Sequence, residues 1–207
     1  MVLNEPKEAM VKTLIQVLLI SLLASHASAE HVAGHLVQQP TEKWKANGAK
    51  SHLYFAPSFE ELPINGAFKR FTVGVIADQK QPQSLNVQVQ IASADLGSSD
   101  LNEAIQMVDW FDSETFAEAS FASEDIAMGQ AENQFIATGL LQLKGMKKTI
   151  EVPFSWQASN HNNISMVGEL ALGRHDFAIG TGEWASGDQI GLAVRVWFEL
   201  VLEIADD

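Results

Sequence analysis

GELALGRHDFAIGTGEW, residues 168–184, decides how the rest of the chain is read. Leu170 and Leu172 alternate with Glu169 and Ala171 at a period of two, the repeat of a strand with one buried face. The strand breaks at Gly173. Arg174, His175 and Asp176 then stand against Phe177 and Ile179, and the chain leaves through Gly180 and Gly182. A turn at Ser186-Gly187-Asp188 precedes a second long strand. A strand, a turn-rich corner with a buried aromatic, and a returning strand describe a barrel or sandwich that closes on itself.

Working outward, the same period recurs on both sides. In residues 190–204, Leu192, Val194, Val196, Phe198, Leu200 and Leu202 alternate with Ala193, Arg195, Trp197 and Glu199. Before the corner, Gly139, Leu141 and Leu143 share a face in residues 134–144, and Gly145 turns the chain. Residues 149–158 return with Ile150, Val152, Phe154 and Trp156 facing one way. Pro153 faces the other and predicts an edge or a bulge. Residues 119–126 read as another strand. The cleanest is 85–91, where Leu85, Val87, Val89 and Ile91 alternate with Asn86, Gln88 and Gln90, as in an antiparallel sheet with one wet face. In residues 66–78 the spacing of Phe68, Phe71, Val73 and Val75 slips once, predicting a bulge. Residues 51–55 form a strand that Pro57 ends.

One helix interrupts the strands. Asp100 is its expected cap, with Glu103 completing a capping box. Leu101, Ile105 and Val108 make its apolar stripe, so it reads as a short helix lidding one end. The total is an all-β chain of about eight antiparallel strands, the number that closes a small barrel.

The front of the chain is different. Residues 10–29, MVKTLIQVLLISLLASHASA, carry Lys12, an apolar run over 14–24 and Ala27-Ser28-Ala29, the three parts of a secretory signal peptide. The acidic residues before Met10 fit a signal poorly, which favours a start at Met10. Cleavage after Ala29 leaves a flexible polar segment, 30–42, and a barrel domain, 43–207. It also removes Lys7, Lys12, Glu5 and Glu8, so the net charge of −13 is unchanged. That charge repels phosphate backbones and argues against nucleic acid as a partner. The chain has no cysteine, so neither disulfides nor a lipidated cysteine are available. The expected location is the periplasm, as a soluble protein.

Three stretches in this order carry a resemblance. Residues 110–121, WFDSETFAEASF, 138–154, TGLLQLKGMKKTIEVPF, and 172–184, LGRHDFAIGTGEW, are similar to the YceI-like family of secreted, lipocalin-like proteins, and Ser51-x-Leu53-x-Phe55 and Gly66-x-Phe68 fit its opening strands. The resemblance covers about residues 43–204. Ala117 stands where the family usually has proline, and Ala178 where it often has glycine. The resemblance implies an extended antiparallel barrel around an apolar channel, which in some members holds a polyisoprenoid.

No catalytic constellation is present: there is no G-x-S-x-G elbow and no H-E-x-x-H. Gly180-Thr181-Gly182 leads towards a strand, so no helix N-terminus awaits a phosphate. Asp176, beside His175, reads as a turn residue bonding local backbone, with a general-base role for the pair as the lesser alternative. Arg174 either pairs with a carboxylate at the barrel's end or contacts a polar ligand head group. His31 and His35 have the spacing of two metal ligands on a helix but lack a third, so no metal or cofactor is expected. The aromatic residues either fill a core or line a channel, and the resemblance favours the channel. Its expected walls are Phe55, Phe71, Val89, Phe121, Leu141 and Leu143, with Phe154, Trp156, Leu170, Phe177 and Val194. The expected function is a non-catalytic binding protein for an isoprenoid lipid or quinone. The alternative is a filled barrel that docks a membrane redox or stress-response partner through an acidic face or the Trp110 and Trp197 edge. An isomerase or cyclase reading finds no convergent acid–base pair.

Overall fold

The computed structural model describes residues 41–78, 80–160 and 162–205; the expected leader and cleavage site, with His31 and His35, lie outside the described residues. Strands β1 (Glu42–Ala46), β2 (His52–Ala56), β3 (Ser58–Phe59), β4 (Leu62–Pro63), β5 (Gly66–Phe68), β6 (Phe71–Asp78), β7 (Gln81–Gln90) and β8 (Ala94–Asp95) come first. Helix α1 (Ser99–Gln106) follows. Then come β9 (Glu118–Met128), β10 (Gln134–Leu143), β11 (Met146–Asn160), β12 (Asn163–Gly173) and β13 (Ala193–Ile204).

The long strands pair in the order β1-β6-β7-β9-β10-β11-β12-β13, and β13 pairs again with β1 to close the ring. β1 occupies residues 202–204 of β13, and β2 takes over the same edge at 195–199. β5 continues β6 against β2, and β8 continues β7 against β5. Eleven segments therefore fill eight positions, and the expected eight-stranded antiparallel barrel is what forms. The slip expected in residues 66–78 is a break at 69–70 between β5 and β6. β10 turns into β11 through Lys144 and Gly145, both at positive φ (47° and 74°), the two-residue hairpin whose twist matches its strands. A register shift at Thr138/Gly139 bulges β9 against β10. Gly139 has to be glycine there, because a Cβ would strike the Ala122 carbonyl and come within 2.6 Å of Ser123 Cα.

Helix α1 departs from expectation. Ser98, not Asp100, is its N-cap residue, with no side-chain cap bond, and Asp100 sits in the first turn. Only Ile105 of the expected stripe is buried; Leu101 and Val108 are 40% and 66% exposed. Val108 lies past the C-cap at Met107 and so falls off the stripe. The glycines after the corner lead into a 3-10 turn at Gly182–Trp184 before the last strand. No described helix is long and apolar enough to cross a membrane.

The seam between β11 and β12 is zipped over only part of its length. Pairing runs from Asn160↔Asn163 to Phe154↔Gly168 and stops there. β11 continues against β10 back to Met146, and β12 continues against β13 up to Gly173. Pro153 explains the stop. Its carbonyl would lie 2.5 Å from a Cβ on Gly168, so it points at β12, and the missing N–H of the same residue points there too. The next pair would set Pro153 against Glu169, a hydrogen-bonding step for which proline has no donor. The edge expected at Pro153 is this local one.

Candidate functional site

The interior divides across its axis into a packed half and a hollow half. At one end Trp44, Phe135, Ala137, Phe154, Trp156, Ile164 and Leu202 interlock, all buried. The rings of Phe135 and Phe154 stack at 5.8 Å, Trp44 meets Trp156 edge-on at 6.4 Å, and the Trp156 indole donates to the Lys80 carbonyl at 2.8 Å. One layer up, Val73, Leu85, Val152, Met166 and Leu200 face a cavity of about 210 Å³. Phe55, Phe68, Ile105, Phe111, Phe177 and Ile179 close it at the far end. The walls are hydrocarbon, and Arg174 is the one charged side chain on them among the described residues.

Of the eleven apolar residues expected on the wall, nine are there: Phe55, Phe71, Val89, Phe121, Leu141 and Leu143, with Leu170, Phe177 and Val194. Phe154 and Trp156 point inward but belong to the packed end, so they form a floor below the cavity and not its wall. Phe111, Ile105 and Ile179 were not read from the sequence as wall residues. Phe111 had a signal, since it lies beside Trp110 in one of the quoted stretches. Trp110 also turns inward: it lines the cavity, contacts Trp184 at 5.8 Å, and lies 5.9 Å under the Arg174 guanidinium. Trp197 stays outside, stacked on Tyr54 at 5.1 Å and covered by Arg195 at 4.4 Å, while Arg195 pairs with Glu169 at 2.6 Å.

Arg174 does neither of the things expected of it. It is 2% exposed, and among the described residues no carboxylate lies within ion-pair distance. Nε donates to the Gly191 carbonyl, one terminal nitrogen to Ile179 and Gly180, and the other to Trp184, Ser186 and Ile190, at 2.6–3.1 Å. A guanidinium has five N–H groups. All are spent on backbone, and none is left for a head group. Burial pushes its pKa down from the usual arginine range, yet it keeps its proton and knits residues 179–191 into one loop. Gly180, at φ 70°, is fitted to this role, since a Cβ there would run into the guanidinium. Asp176 is an exposed partner of Lys148 at 3.6 Å, and no bond from it to local backbone is seen.

Further bonds hold the closing end shut. Lys144 Nζ donates to the carbonyls of Val108 and Ala178 at 2.7 and 2.8 Å, and burial pushes its pKa down. The Asp109 carbonyl accepts from Gly180 and Thr181 N–H, and the Thr181 hydroxyl donates to the Asp109 carboxylate. The segment after α1 is thereby tied to the corner.

The barrel has known counterparts. BcnA of Burkholderia cenocepacia is 32% identical, with a TM-score of 0.71 over 75% of this chain and 98% of that one. A polyisoprenoid binding domain from Saccharophagus degradans shares the fold at 16% identity and a TM-score of 0.63, covering 78% of this chain and 98% of its own. The YCEI protein of Campylobacter jejuni does so at 17% and 0.59, over 70% and 86%. A UPF0312 protein of Photorhabdus laumondii is 28% identical over 89 residues; the match spans 42% of this chain and 45% of that protein, under half its length. Residues 44–202 match the YceI-like domain, and the chain belongs to the YceI-like family.

Proposed function

We propose that this protein is an exported, non-catalytic carrier or store for a polyisoprenoid lipid or isoprenoid quinone, held by its hydrocarbon tail. The observation that carries this reading is the 210 Å³ cavity, whose walls offer hydrocarbon and whose one charged side chain has no free donor. Such a site selects a ligand by what the ligand lacks. Each buried methylene contributes about 0.8 kcal/mol, so a tail binds tightly without polar contacts. The fold shared with a polyisoprenoid binding domain supports the same class of ligand. The cavity supports this reading over that of a filled barrel docking a membrane partner. Organic extraction of the purified protein, followed by mass spectrometry, tests the proposal. A recurring prenyl lipid is expected; protein that is lipid-free from its native host and takes up no added prenyl chain overturns it.

A further inference from the structure

The cavity needs a door, and its two ends are poor ones. The floor is packed aromatic rings. The far end is tied down by Lys144, by the Asp109–Thr181 bonds and by the loop that Arg174 holds, and opening it breaks most of them together. The cavity is also small. An engineered cavity of about 150 Å³ takes a benzene ring, so 210 Å³ encloses roughly one and a half times as much. The rest of a longer chain has to leave the barrel somewhere.

The side wall supplies the opening. Above Phe154↔Gly168 no ladder pairing joins residues 147–153 of β11 to residues 169–173 of β12. Ile150, Val152, Leu170 and Leu172 border this gap and line the cavity, and Ile150, Leu170 and Leu172 are only half-buried. Spanning it on the outside is a surface ion pair, Lys148 to Asp176 at 3.6 Å, a kind of contact that holds little against thermal motion. Pro153 stands at the step where pairing stops and has no N–H to give the ladder there.

We infer that the hydrocarbon tail passes into and out of the barrel sideways, through the unzipped seam between 147–153 and 169–173, with the remainder of the ligand lying outside. This rests on the carrier reading. The slot also exposes two strand edges whose backbone groups have no ladder partner across it, a polar border around an apolar interior. A single-chain amphiphile, tail inside and head at the edge, fits that arrangement.

The chain has no cysteine, which makes a cross-linking test clean. Continuing the β11–β12 register sets Glu151 opposite Ala171, both exposed. A Glu151→Cys/Ala171→Cys protein bridged by a short bis-maleimide has its slot barred. A Gln157→Cys/Ser165→Cys protein bridged in the same way is cross-linked where the seam is already paired. Stopped-flow uptake and displacement of the apolar fluorophore N-phenyl-1-naphthylamine provide the readout. Barring the slot should slow both uptake and release by about tenfold or more with little change in Kd, and the paired-seam control should stay within about twofold of untreated protein. Single Ala171→Cys protein carrying a bulky maleimide is the second variant, and it should slow exchange in the same direction. Unchanged kinetics in the barred and labelled proteins would overturn the lateral route and leave the carrier reading intact. Absence of fluorophore binding by the untreated protein would overturn both.

Discussion

The two halves of the barrel are built from the same alternating strands, yet they are held together by different forces. In the packed half, stability comes from contact: Phe154 is 2% exposed and Leu202 is fully buried, each surrounded by other core side chains. In the hollow half the inner side chains face a space, so contact energy is missing there. What replaces it is a rim of hydrogen bonds from Arg174 and Lys144 to backbone carbonyls. The hollow region is held from its edge.

The sharpest way to break this comparison is to remove the edge. Arg174→Met leaves six carbonyls without their donor, those of Ile179 and Gly180 at buried residues, and should cost about 4 kcal/mol in chemical denaturation. A loss under about 1 kcal/mol would mean that the rim is not what holds the hollow half. Next in size is the floor: Phe154→Ala should lose about 3–5 kcal/mol, since it opens a cavity in packed core. Leu141→Ala, on the cavity wall, should lose only about 1 kcal/mol because fewer of its contacts are to protein.

Enlargement sharpens the contrast on one strand. Ala137 and Leu141 are inner positions on β10, below and at the cavity. Ala137→Leu overpacks and should destabilise by about 1–3 kcal/mol. Leu141→Trp should change stability by less than about 1 kcal/mol, yet abolish binding of N-phenyl-1-naphthylamine. Thermal melts and fluorescence titration of these two variants separate a full core from an occupied-on-demand one.

The smallest effect concerns the corner's backbone. Ala178 adopts φ 52°, the left-handed region, at an exposed position where its methyl packs on little. Ala178→Gly should stabilise by about 1 kcal/mol, less whatever the freer glycine chain gives back in the unfolded state. The midpoint of denaturation should rise while fluorophore affinity stays constant.

These contrasts also mark what a sequence can express. Alternation assigned Leu85, Val87 and Val89, or Ile150, Val152, Phe154 and Trp156, to one face, and the face was right in each case. Height along the axis was not legible, because a period of two is the same at the floor and at the cavity. Phe154 and Trp156 were therefore read as wall when they are floor. Arg174 was misread for a related reason. A carboxylate partner would have left a side chain to find, but its partners are carbonyls of residues 179–191, and every residue has one. The exposure of Leu101 follows from tertiary placement, since a helix pattern alone does not tell how much of its stripe the barrel end can cover. The unzipped seam, by contrast, was visible as Pro153 once its neighbours were known.

Closure of the ring against β13 has a consequence for time. Trp44 in the first strand pairs with Ile204 in the last, so the barrel cannot be completed until nearly the whole domain is present. Contacts this distant in sequence carry a large loop-closure entropy and slow the search for the native topology. The loop around Arg174 waits as well, since its carbonyls come from the segment leading into that final strand. A growing chain therefore stays open until residue 204 has emerged, and until then the apolar faces of its strands are left uncovered.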